Sequence, residues 1–150
     1  MRIRRLKEEE TPPLSLLTLA DPSIEMINRY IGNGDCFIAE DEGGVIGVYV
    51  LMRTKSGTAE VMNIAVKEHR QGEGIGRELI LHAIKSAKQM GCQYIEVGTG
   101  NSSISQLAFY QKCGFRIIGV ERDFFIKNYN EAIFENGIKC MDLVKLAKRL

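Results

Sequence analysis

The apolar positions change period several times along the chain, and each change marks an element. "RIRRL" at Arg2 to Leu6 alternates weakly, as a first strand would. "TPPLSLLTL" opens on two prolines and then turns helical. In "DPSIEMINRYIGNG", Ile24, Ile27 and Ile31 recur at spacings of three and four behind an Asp–Pro start, which predicts a short helix closing at Ile31 or Gly32. From Cys36 the period shortens. "CFIAE", "VIGVYVLMR" and "TAEVMNIAV" are runs rich in β-branched residues, joined by "DEGG" and "TKSG", and they predict antiparallel hairpins.

A helical stripe follows from Gly74 to Met90, carried by Ile75, Leu79, Ile80, Ala83, Ile84 and Ala87 and ended by Gly91. "YIEVGT" is a strand, so strand, helix and strand make one parallel crossover. "SISQLAFYQKCGF" is a second short helix stopped by Gly114, "RIIGVERDFF" a strand, "IKNYNEAIFENG" irregular and partly helical, and "IKCMDLVKLAKRL" starts as a strand. Hairpins, one crossover and further strands predict a mixed-sheet α/β (α+β) domain rather than a doubly wound one.

The 150 residues suit one domain over 1–150, with no internal repeat or linker. A formal charge of +1 offers no basic field for nucleic acid, so no nucleic-acid partner is expected. No apolar run reaches transmembrane length, and Met1 to Glu10 is too charged for a signal peptide, so no membrane partner is expected either. Cys36, Cys92, Cys113 and Cys140 lie far apart with no Cys/His cluster. They read as reduced, core-proximal thiols of a cytoplasmic protein, and no metal site is expected.

The informative junction is "RQGEGIGREL", Arg70 to Leu79. Glycines ahead of a helix N-terminus expose unpaired N–H groups at the positive end of a dipole, which suits an anion such as a phosphate. Arg70 and Arg77 add charge at the rim. The spacing fits no Walker loop. A dinucleotide fingerprint would need its third glycine one position later than Gly76, and no second crossover unit follows.

"QGEGIG" from Gln71 to Gly76 resembles the Q/R-x-x-G-x-G/A motif of the GNAT superfamily of acyl-CoA-dependent N-acetyltransferases. "NIAV" upstream resembles that family's fourth strand, "LAFYQKCGF" at Leu107 to Phe115 its second signature, and Asn101 stands where the family often has an Asn after the fifth strand. The resemblance implies a mostly antiparallel sheet of about seven strands, splayed between the fourth and fifth and flanked by about four helices. It implies acetyl-CoA as cosubstrate, its pyrophosphate at Gln71, Gly72, Glu73, Gly74, Ile75, Gly76 and Arg77, its pantetheine arm along Ile64, Ala65 and Val66, and a contact from Asn101.

It also implies roles in catalysis. Tyr110 matches the tyrosine that protonates the leaving thiol. Glu60, eleven residues before Gln71, and Glu96, five before Asn101, match base positions of two branches of the family, and a water chain is the third option. The implied activity is acetyl transfer to a primary amine by direct attack, the acceptor being a small molecule or a peptide or protein amine. A non-catalytic CoA-binding regulatory module is the alternative. Family members often pair through their sheets, so a homodimer is an expectation. The acceptor side is expected to be lined by Thr11 to Gly32, Arg53 to Thr58 and the long Arg122 to Cys140 connection. In that connection Asp123, Glu131 and Glu135 would attract a cationic amine, and Phe124, Phe125 and Tyr129 would wall a pocket.

Overall fold

In the computed structural model, which describes residues 1–150, the first half of the chain becomes β1 (Arg2–Arg5), α1 (Leu14–Ala20), α2 (Ile24–Ile31), β2 (Asp35–Asp41), β3 (Gly44–Lys55) and β4 (Thr58–Val66). After a single 3-10 turn come α3 (Ile75–Gln89), β5 (Tyr94–Gly100), α4 (Ile104–Lys112), β6 (Arg116–Glu121), α5 (Phe124–Asn128), the short pair β7 (Phe134–Glu135) and β8 (Ile138–Lys139), and β9 (Leu143–Arg149). The seven-stranded sheet has the order β1-β2-β3-β4-β5-β9-β6. Only β4 and β5 run parallel, bridged by α3, as a crossover requires.

Helices cover both faces. On one, Leu79, Ile80 and Ala83 of α3 are fully buried against Tyr49, Leu51 and Val61. On the other, Leu16 and Leu17 of α1 and Ile27 and Tyr30 of α2 pack on Ile38, Val48, Val50 and Ala65. Ser23 caps α2 by accepting from Met26 N, which offsets one orphan donor of its first turn.

The feature that positions a site is a break in the sheet. Leu51 pairs with Val61 and Val50 with Asn63, so Met62 stands unpaired as a bulge in β4. A bulge adds twist and bends its strand. The parallel pairing of β4 with β5 ends at the same point, Val61 with Val97, while β5 continues against β9 to Gly100. Beyond the bulge, β4 and β5 part.

Two expectations need correction. The strand read through "RDFF" ends at Glu121. Asp123 takes a left-handed φ of 62° and starts the five-residue α5. The strand read from Ile138 is two pieces: β8 closes a small hairpin with β7, and the sheet strand begins at Leu143. No helix is long and apolar enough to cross a membrane.

Candidate active site

The parting strands leave two cavities that meet. The first, about 470 Å³, follows the free edge of β4 into the glycine loop and the start of α3. Lys67 N–H donates to Ile46 O of the β2–β3 side, which fixes the phase of β4. Ala65 therefore turns its amide toward β3, and Ile64 and Val66 turn theirs to the open edge. Gln71 Nε2 donates to the open-edge Val66 O at 3.0 Å, tying the loop to the strand.

Gly72 and Gly74 have φ of 84° and 85°, left-handed values that a residue with a Cβ adopts only under strain. Gly74 is the N-cap of α3 and no side chain satisfies the first turn, so its N–H groups remain available. Gly76 lies beneath Phe109, whose Cζ is 3.5 Å from where a Cβ would stand. Arg77 lines the same cavity and takes part in no ion pair. Bare amides, a helix N-terminus and a free guanidinium suit a pyrophosphate-bearing ligand, and the open β4 edge suits its extended arm.

The second cavity, about 410 Å³, lies on the α1–α2 side, between the diverging ends of β4 and β5 and roofed by the segment after β6. Ile64, Gln106 and Tyr110 line both cavities, as do Leu19 and Ala20. Tyr110 is 4% exposed, its ring packed against Phe109 and Phe115. Its hydroxyl has no hydrogen-bond partner in the protein. Burial pushes the phenol above its ordinary range, so it holds its proton at neutral pH.

Glu60 also lines the second cavity. Burial, and then the neighbouring Glu96, push its carboxyl above the usual range, with Lys145 and Lys55 partly offsetting this. Glu60 and Glu96 are register partners across β4 and β5. They differ in surroundings, because Glu96 lines neither cavity and pairs with Lys55 at 3.5 Å. Of the two expected bases, the structure brings only Glu60 together with Tyr110.

Two other expected residues stand apart, and the charge of a third is already paired. Asn101 spends its amide within the protein: Oδ1 accepts from Met141 N and Asp142 N, and Nδ2 donates to Lys139 O. It pins the end of β5 to the approach of β9 and lines neither cavity. Glu73 turns away to pair with Arg70. Arg70 lines the first cavity, but it also holds Asp41 at 2.8 Å, so its charge is paired within the protein and braces the loop.

On the acceptor side, Phe124, Phe125, Tyr129 and Glu135 line the second cavity, whereas Asp123 and Glu131 do not. The hairpin near Arg53 to Thr58 also stays outside it. A network not evident in the sequence completes the wall. Asp21 accepts from Tyr30 Oη at 3.2 Å and from Tyr129 Oη at 2.9 Å, and Asn63 Nδ2 donates to Tyr30 Oη and to Leu17 O. Burial pushes both phenols upward, keeping them protonated as donors. The Asp–Pro pair marked a helix start in the sequence. Nothing in it tied Asp21 to a tyrosine more than a hundred residues away.

Comparison with known proteins agrees with this geometry. The family model described as an acetyltransferase (GNAT) domain matches residues 32–117. The chain is 49% identical over 146 residues to the uncharacterised N-acetyltransferase YvbK of Bacillus subtilis, covering 97% of this chain and 94% of that one. Among solved structures, an IAA acetyltransferase from Bacillus cereus is 54% identical with a TM-score of 0.95, over 99% of each chain. A GNAT family acetyltransferase from Elizabethkingia anophelis with acetyl-CoA bound is 42% identical with a TM-score of 0.97, over 99% of this chain and 97% of that one. With its splayed seven-stranded sheet, glycine loop and matching relatives, the chain belongs to the GNAT family of acetyl-CoA-dependent N-acetyltransferases.

Proposed function

We propose that the protein transfers the acetyl group of acetyl-CoA directly to a primary amine bound in the second cavity. The observation that carries this is the shared wall. Tyr110, Ile64 and Gln106 border both the groove suited to the carrier and the cavity beside Glu60. A thioester at that wall meets an amine coming from the other side.

The proton bookkeeping follows from the surroundings. The amine nitrogen forms a bond to the acetyl carbon, the carbon–sulfur bond breaks, and the nitrogen gives up a proton. Glu60 takes that proton, and its raised pKa brings it nearer the operating pH of a useful base. Tyr110 supplies a proton to the departing sulfur. Ile64, whose amide faces the open edge, donates to the carbonyl oxygen as charge develops there. Direct attack is favoured over a thioester on the enzyme. The cavity's one cysteine, Cys140, is buried, and burial raises its pKa, leaving it a thiol rather than a nucleophilic thiolate.

The phosphate groups fit the loop from Gln71 to Arg77, held by the amides of Gly72, Gly74, Ile75 and Gly76 and by Arg77. The test is thiol release from acetyl-CoA in the presence of a panel of primary amines. Amine-dependent release that falls in Tyr110→Phe and Glu60→Gln is expected. Binding of acetyl-CoA without release for any amine would contradict the reading.

A further inference from the structure

Three carboxylates face the second cavity, Asp21, Glu60 and Glu135, and no Lys, Arg or His lines it. None of the chain's ion pairs includes any of the three. Partly buried carboxylates that form no ion pair within the protein point to a ligand that brings a cation. An independent observation points the same way. Asn63 lines the same cavity, is 4% exposed, and its Oδ1 is the one buried side-chain polar atom without a hydrogen-bond partner. The missing partner is a donor.

The carboxylates are not equivalent. Glu60 stands with the acetyl-transfer residues. Asp21 already accepts from Tyr30, Tyr129 and Ser23 N. Glu135 uses only Oε1, which accepts from Ser103 Oγ at 2.7 Å and, more weakly, Ser102 Oγ at 3.4 Å, leaving Oε2 free. Its place is fixed by the β7–β8 hairpin, held down by Asn136 Nδ2 to Ser102 O at 2.8 Å. The Tyr129–Asp21 bond joins the roof to the turn between α1 and α2, which encloses a small molecule better than it admits a folded chain.

Resting on the amine-acetylation reading above, we infer that the acceptor is a small aliphatic di- or polyamine. One amine is acetylated beside Glu60 and Tyr110, and a second ammonium is held by Glu135, with Asn63 Oδ1 and Asp21 as further acceptors. Phe124 and Phe125 line the stretch that its methylene groups would pack against. Glu135 is a specificity-determining residue in this account.

The test compares CoA release with butylamine, 1,4-diaminobutane, spermidine, a peptide with a free N-terminal alanine, and IAA, the compound named with the Bacillus cereus protein. A charge-assisted contact absent from butylamine predicts a kcat/KM for the diamine and spermidine roughly tenfold or more above the monoamine. Glu135→Gln keeps an oxygen for Ser103 and is expected to erase that advantage through KM for the diamine, with kcat far less affected. A melting curve of the variant, and calorimetric binding of 1,4-diaminobutane to the CoA complex, separate loss of the contact from loss of the fold. Butylamine, the peptide or IAA matching or exceeding the diamines overturns the inference and leaves the acetyltransfer reading standing. An equal effect of Glu135→Gln on mono- and diamine does the same. No release with any acceptor sinks both.

Discussion

Replacing Tyr110 by Phe removes a single oxygen, and the structure separates its two consequences. The ring remains packed between Phe109 and Phe115. The hydroxyl has no partner, so its loss orphans no other group. Stability should therefore change by no more than about 0.5 kcal/mol. Loss of a general acid costs about 10²–10⁴ in rate, or about 2.7–5.5 kcal/mol in the barrier. The assay is kcat for thiol release at saturating acetyl-CoA, with a melting curve taken in parallel. A second arm uses an acetyl thioester whose thiol is already acidic. That leaving group needs no acid, so the variant should recover most of its rate. A kcat loss below about threefold, or a deficit that persists with the acidic leaving group, would refute the role given to Tyr110. A fall in stability as large as that of a core truncation would instead make the residue structural.

Glu60→Gln should lower kcat/KM while making the protein more stable at pH 8. The carboxyl's folded pKa lies above its ordinary 4.5, so its charging opposes folding as pH rises from that value through the folded pKa. Melting curves should show the variant's advantage fade toward pH 4, and an advantage that grows in acid would contradict the assignment. Gly74→Ala forces a Cβ onto a φ of 85° and should cost about 1–2 kcal/mol in a urea titration, together with weaker acetyl-CoA binding. Unchanged affinity would detach the loop from the ligand. Arg77→Gln should weaken acetyl-CoA by up to about fivefold at low salt, with the difference shrinking as salt is added. Arg70→Gln, which breaks the contacts with Asp41 and Glu73, should instead show itself in the melting temperature.

The sequence exposed what depends on local rules. The hairpins were legible because glycine turns separate β-branched runs, and α3 because its apolar stripe starts after Gly74 and stops at Gly91. The glycine loop was legible for the same reason, since positive φ at Gly72 and Gly74 demands glycine. The region after β6 was not. A five-residue helix and two-residue strands are too short to carry a period, and they persist through tertiary contacts such as Tyr129 with Asp21 and Asn136 with Ser102. The place of β9 between β5 and β6 is a long-range choice that no local pattern records. Asn101 illustrates a different limit. An amide serves equally to bind a ligand or to pin a loop, and the three bonds that Asn101 makes to the β8–β9 approach are long-range contacts that no local pattern records. Glu60 and Glu96 likewise look alike along the chain and part company only where one faces a cavity and the other a lysine.

Amide hydrogen exchange with and without acetyl-CoA reads out the particular backbone donors that would grip the carrier. Slowed exchange should concentrate at Ile64 and Val66 and from Gly72 to Arg77, with Ala65, already turned to β3, little changed. Protection that avoids these amides, or is centred on another surface, would contradict the account.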